Sequence, residues 1–133
     1  MQTLDLEKVL LEYQTELNGD TKVDELTIKE KIMIMPTLKH KWVARLMTYK
    51  VTKQKLVLAK KKAIRELVSS SPIPLTKTSL DQAVGKNDTI GQINDLMDSV
   101  DIIIEYLEKA EKLTNSMTWD CKNLIDIQKL ETT

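Results

Sequence analysis

Three consecutive lysines, Lys60-Lys61-Lys62, with Arg65 three places further on, form the densest charge in the chain. Consecutive residues of a helix point in different directions, so at least one of the three lysines must reach water. They close a longer run. From Lys31 to Arg65 there are eleven Lys/Arg and no Asp or Glu, although 30% of the chain is charged. Residues 1–30 carry −5 and residues 66–133 carry −6, so the net charge of zero conceals a separation of sign. An uninterrupted positive segment suits a polyanion, either nucleic acid or anionic lipid. The competing reading is that the segment pairs with the acidic stretches inside the fold. The candidate DNA contacts are Lys41, Lys50, Lys53, Lys55, Lys60, Lys61, Lys62 and Arg65. Trp42 and Tyr49 lie in the same run. Single strands are held by cations that track the phosphates and by aromatics on which bases stack, and the same two aromatics at helical spacing also suit a core.

Other chemistry is sparse. Gly85-Lys86 is followed by Asn87 and position 80 is Leu80, so the phosphate-loop pattern is absent. Asp95, Asp98, Asp101, Glu105 and Glu108 share one helical side, but no His joins them as in di-iron helices, and a solvated acidic face is the simpler reading. One Cys (Cys121) excludes an internal disulfide framework, and with one His (His40) it falls short of the four N/S ligands usual at a dedicated zinc site. A nucleophile–base pair of His40 with Cys121 is a remote alternative. The chain is expected to be non-catalytic, with no cofactor and no metal.

The elements that position the cations read as helices. Residues 4–17 form a short amphipathic pattern, with Asn18-Gly19-Asp20 as its expected stop. Thr27 is expected to open a second short helix, with Glu30 completing a capping box, and Pro36 to end it. No Gly or Pro occurs from Thr37 to Val68, which predicts a basic helix with an apolar line at Leu38, Trp42, Leu46, Tyr49, Leu56, Ile64 and Leu67. Lys53 and Lys60 fall in that line, where they either snorkel or line a wet, positive groove. Ser69 to Pro74 is the linker-like stretch. A weak segment follows over 75–87, with Ser79 as its candidate cap, and then Asp88 or Thr89 caps a second long helix. Its apolar residues Ile90, Ile93, Met97, Val100, Ile104 and Leu107 are spaced 3, 4, 3, 4 and 3, a heptad seam flanked by Leu96, Ile103 and Ala110. Asn115-Ser116 loosens the pattern, and a last helix over 117–130 carries Trp119, Cys121, Leu124, Ile125, Ile127 and Leu130.

The bulk properties agree. A chain of 133 residues is one ordinary domain, or one short domain plus an arm. Three Gly, three Pro, five aromatics and no Phe argue against a sandwich or barrel. No apolar run approaches the length of about 18 residues that a membrane helix needs. The stretch Met1 to Asp5 lacks the order of a signal peptide. The single cysteine suggests a reducing compartment.

Two stretches carry a family resemblance. Met35-Pro36-Thr37-Leu38-Lys39-His40-Lys41-Trp42 leads into the helix that bears Lys60-Lys61-x-Ala63-Ile64-Arg65, and Tyr106-Leu107-Glu108 is followed by Met117 to Asp126. With the acidic start around Tyr13, Asp20, Val23 and Asp24, this ordered set resembles the UvsY-like recombination mediators of T-even-type phages. The resemblance covers most of the chain. It implies an all-helical protein that assembles into a ring-like homo-oligomer, a hexamer or heptamer, and binds single-stranded DNA. It also implies that the protein loads a phage recombinase onto strands coated by single-strand binding protein, in the cytoplasm of the infected bacterial host. The family's DNA contacts carry over to Lys60, Lys61, Lys62 and Arg65. The chain departs from the family pattern directly afterwards, at Glu66, Leu67, Val68 and the serines.

The expectation is therefore an all-α fold of long helices with coiled-coil-like packing. Residues 1–75 form an N-terminal helical region with the basic helix at 37–68, and residues 76–133 a C-terminal region for self-association. The seam looks too long for one small chain to bury, so Ile93, Met97, Val100, Ile104, Leu107, Trp119, Leu124 and Ile127 are the candidate oligomer contacts. The rival reading is a coiled-coil adaptor or structural protein whose basic segment meets an acidic protein partner. A membrane-surface role is disfavoured, because the cations are not confined to one polar face.

Overall fold

The computed structural model describes residues 4–24 and 26–132. These form four helices in chain order: α1 (Leu6–Thr21), α2 (Ile28–Ser70), α3 (Lys77–Lys86) and α4 (Asp88–Thr132). No strand occurs among the described residues. The signal-peptide reading of Met1 to Asp5 lies partly outside them, at residues 1–3.

α2 and α4 contain 43 and 45 residues, so each is about 65 Å long at 1.5 Å per residue. They run antiparallel: Lys39 meets Thr118, Lys50 meets Glu108 and Lys53 meets Asp101, the α4 number falling as the α2 number rises. α1 packs across the middle of this pair. α3 contacts both long helices at the end where the chain turns between them.

The pair is held by two apolar clusters. Leu17 of α1, Trp42 and Leu46 of α2, and Ile103, Leu107 and Ala110 of α4 form the central one. Ile28 and Met35 meet Met117 and Cys121 towards the free ends. Along α4 the buried stripe runs Ile90, Ile93, Val100, Ile103, Leu107, Ala110, Thr114, Met117 and Cys121. It starts on the expected heptad and then passes to Ile103 instead of Ile104. From Val100 onward the spacings are 3, 4, 3, 4, 3 and 4, so the heptad continues with Ile103, Ala110 and Met117 as its second line.

Six local expectations are corrected. Pro36 lies inside α2 and does not end a helix. The amide hydrogen it lacks would bond the carbonyl of Ile32, an exposed residue where water can take its place, and Pro36 itself is exposed. Ile28 and Met35, before the proline, dock on Met117 and Cys121 of α4, and Leu38, after it, is buried as well, which keeps the helix continuous. Gly19 lies within α1. The end of that helix is satisfied from outside, by Lys31 Nζ donating to the carbonyls of Gly19 (2.8 Å) and Asp20 (3.2 Å). The start of α2 is ordered by Asp24, whose carboxylate accepts from the amides of Leu26 and Thr27, and Thr27 makes no capping bond to its own helix. Asn115-Ser116 does not interrupt α4, because Thr114 is buried and bonds the Glu111 carbonyl within the helix. At the short helix the cap is Thr76, whose hydroxyl accepts from the Ser79 amide, one turn before the expected residue. Asn87 caps α4 by accepting from the Ile90 amide, one residue before the expected Asp88.

Candidate nucleic-acid interface

The cations of α2 divide into two sets along its length. The proximal set is engaged with the rest of the fold. Lys31 closes the end of α1, and Lys39 Nζ donates to Thr118 Oγ1 at 2.7 Å. Lys41 bonds Glu16 at 3.0 Å and also bonds Asp20. Arg45 grips Glu16 with both terminal nitrogens. Asp20 further accepts from Trp42 Nε1 at 3.0 Å. The Arg45 guanidinium lies over the rings of Tyr13 and Trp42, at 5.0 and 4.9 Å from their centres, and Tyr13 meets Trp42 edge-on at 5.8 Å. The hydrogen bonds from Arg45 hold the Glu16 carboxyl below its usual range, against the opposing effect of partial burial. Tyr49, against Tyr13, is pushed up to about 12 by burial and by its hydrogen bond with Tyr13.

Trp42 is fully buried here, so it is a core anchor and no platform for a base. Lys50 and Lys53 reach across to α4, to Glu108 at 4.0 Å and Asp101 at 2.6 Å. Lys53 thus snorkels out of the apolar line and lines no groove. Four of the eleven cations therefore do pair with acids of the fold, and the uniformly free basic segment is corrected to that extent.

The distal set is Lys55, Lys60, Lys61, Lys62 and Arg65. None has an ion pair within 4.0 Å among the described residues. Lys55, Lys61, Lys62 and Arg65 are exposed and Lys60 is half-buried on the inward line. A shallow groove along α2 is lined by Lys62, Arg65, Glu66, Ser69 and Ser70. Of the eight candidate DNA contacts, the structure leaves these five unengaged and commits Lys41, Lys50 and Lys53 to partners. Sequence reading missed Glu16 and Asp20 as the acids that claim Lys41 and Arg45. No local signal could have found them, because the pairing depends on where α1 lies.

The candidate oligomer contacts also divide. Ile93, Val100 and Leu107 are buried inside the chain, against its own α2 side, and are not offered to a second copy. The seam that looked too long for one chain is covered because α2 is as long as α4. Met97, Ile104 and Leu124 are half-buried. Trp119 (65% exposed) and Ile127 (49%) face water near the free end of α4.

The acidic side of α4 is exposed, with Asp101 and Glu108 turned to α2 and Glu105 to Lys109. No group of three His, Cys, Asp or Glu is placed to hold a metal among the described residues. His40 is exposed, whereas Cys121 is buried beside Met117, with its thiol pushed up by burial and by Asp120. No hydrogen bond joins them among the described residues. No helix among the described residues is long and apolar enough to cross a membrane.

These features define an all-helical class: two long antiparallel helices braced by two short ones, with a basic end beside the turn. The fold is shared with the recombination mediator protein UvsY of bacteriophage T4. One crystal form of that protein superposes with a TM-score of 0.80 at 16% identity, covering 96% of this chain and 99% of the other. A second gives a TM-score of 0.79, also at 16% identity, over 98% of this chain and all of the other. At this identity the likeness is one of fold. No protein-family model and no curated protein sequence matches the chain.

Proposed function

We propose that this protein is a non-catalytic recombination mediator. It binds single-stranded DNA without sequence preference and helps load a recombinase onto strands coated by single-strand binding protein, in the cytoplasm of a phage-infected bacterium. The observation that carries the reading is the cluster of Lys55, Lys60, Lys61, Lys62 and Arg65 at the distal end of α2, none of which makes an ion pair among the described residues. Five cations that make no ion pair within 4.0 Å among the described residues, with Glu66 as the one acid beside them, suit a polyanion. The fold likeness to the T4 mediator supports the choice of DNA. A ring-like homo-oligomer of six or seven copies belongs to the same proposal, and the exposed Trp119 and Ile127 are the candidate contacts that remain for it. Multiple copies would hold one strand at several points and raise avidity without new contacts.

The test is charge reversal. Replacing Lys60, Lys61 and Lys62 by Glu is expected to abolish most binding to an oligothymidylate while the helical circular-dichroism signal is kept. Unchanged binding in the triple variant overturns the assignment of the site.

A further inference from the structure

The outward face of α2 is not simply basic. Met47, Val51, Lys55, Leu58, Lys62, Arg65 and Ser69 are separated by 4, 4, 3, 4, 3 and 4 residues, which is one continuous stripe of a helix. All seven are exposed. They lie opposite the stripe that begins with Leu38, Trp42 and Leu46 and faces α4. Met47 is 50% exposed, Val51 54% and Leu58 55%. The stripe covers about 33 Å at 1.5 Å per residue. Apolar and cationic side chains alternate along its middle, and its neighbours in the fold, α1, α3 and α4, leave it uncovered.

We infer that this stripe is the track of a single strand, with Met47, Val51 and Leu58 receiving the bases while Lys55, Lys62 and Arg65 hold the phosphates. The inference rests on the DNA-binding reading above and adds the source of a preference for single over double strands. An unpaired strand presents both a phosphate line and apolar base faces, and so matches an alternating surface in both respects. A duplex presents phosphates outward and keeps its base faces stacked, so the aliphatic residues gain no contact from it. The occupant is chosen by charge. The stripe itself carries three cations and no acid, and Glu66 stands only at its flank. Removing exposed aliphatic area from water on binding is favourable and insensitive to salt, unlike the phosphate contacts.

The experiment uses the full chain, with a labelled oligothymidylate and a duplex of the same length. Val51→Ser with Leu58→Ser is expected to weaken single-strand binding about tenfold and leave duplex binding and the salt slope unchanged. Leu58→Met, which keeps the apolar volume, is expected to bind as the wild type does. Equal loss for both nucleic acids, or no loss, overturns the inference while the charge-reversal result keeps the DNA-binding reading. A wild type that binds no strand overturns both. A change in molar mass by light scattering in the double variant identifies the stripe as a self-association face and overturns the inference as well. Because both residues are on the surface, circular dichroism is expected to show an unchanged fold.

Discussion

Between Lys31 and Lys53 the cations of α2 face carboxylates, carbonyls or a hydroxyl of α1 and α4, whereas Lys55, Lys61, Lys62 and Arg65 face water and Lys60 is half-buried without an ion pair among the described residues. Both halves are rich in Lys and Arg and contain no Asp or Glu, but their neighbours differ. α1 lies against the first half and supplies Glu16, Asp20 and Tyr13, so that half becomes part of a three-helix core around Trp42. Nothing comparable covers the second half, where α3 and the start of α4 pack on the inward side only. The same residue types therefore stabilise the fold in one place and remain available to a ligand in the other. What separates structural from functional charge here is the path of a sixteen-residue helix, not the local density of lysine.

The strongest way to break the comparison is at Trp42. Trp42→Ala removes a fully buried side chain together with its bond to Asp20. It is expected to lower stability by about 3–5 kcal/mol in denaturant titrations. The molecules that remain folded should bind DNA with wild-type affinity, since the distal cations are untouched. A large loss of affinity in the folded fraction would show that the proximal cations are part of the site.

A smaller effect sharpens the assignment of Glu16. The side chain is partly exposed, so Glu16→Gln is expected to lower stability at neutral pH by only about 1 kcal/mol. Because its folded pKa lies below the ordinary value of 4.5, the carboxylate stabilises the fold above that pH. That contribution is lost as the pH falls through the folded value. The stability difference between wild type and variant should therefore close in acid. A difference that persists in acid contradicts the pairing with Arg45. The raised pKa of Tyr49 acts at the other extreme. Its stabilisation is complete below the unfolded value of 10.0 and is lost as the pH rises towards about 12.

The fold class was legible in the sequence because heptad spacing along α4 and the long stretch without Gly or Pro in α2 both report helix directly. The punctuation was less legible. Pro36, Gly19 and Asn115-Ser116 are stop signals for an isolated helix, and each is overridden by packing on both sides of it or by a side chain from another element. The inward register of α4 was readable to Val100, after which one of its two lines passes from Ile104 to the flanking Ile103 and Ala110 while the heptad spacing continues. For the candidate site, the cluster at Lys60 to Arg65 was visible as composition. Its freedom was not, because freedom depends on which acids lie nearby in space. The stripe from Met47 to Ser69 was present in the spacing, but a helix rich in lysine on several sides hides a single line until the buried face is known.

The central claim is that only the distal cations of α2 meet DNA, and the salt dependence of single-strand binding tests it most directly. The affinity of the wild type should fall linearly with the logarithm of salt concentration. Each distal cation replaced by Gln, at Lys55, Lys61, Lys62 or Arg65, should reduce the slope by about 0.7. Replacing Lys41 or Arg45 by Gln should leave the slope unchanged. Equal reductions from proximal and distal replacements would contradict the account.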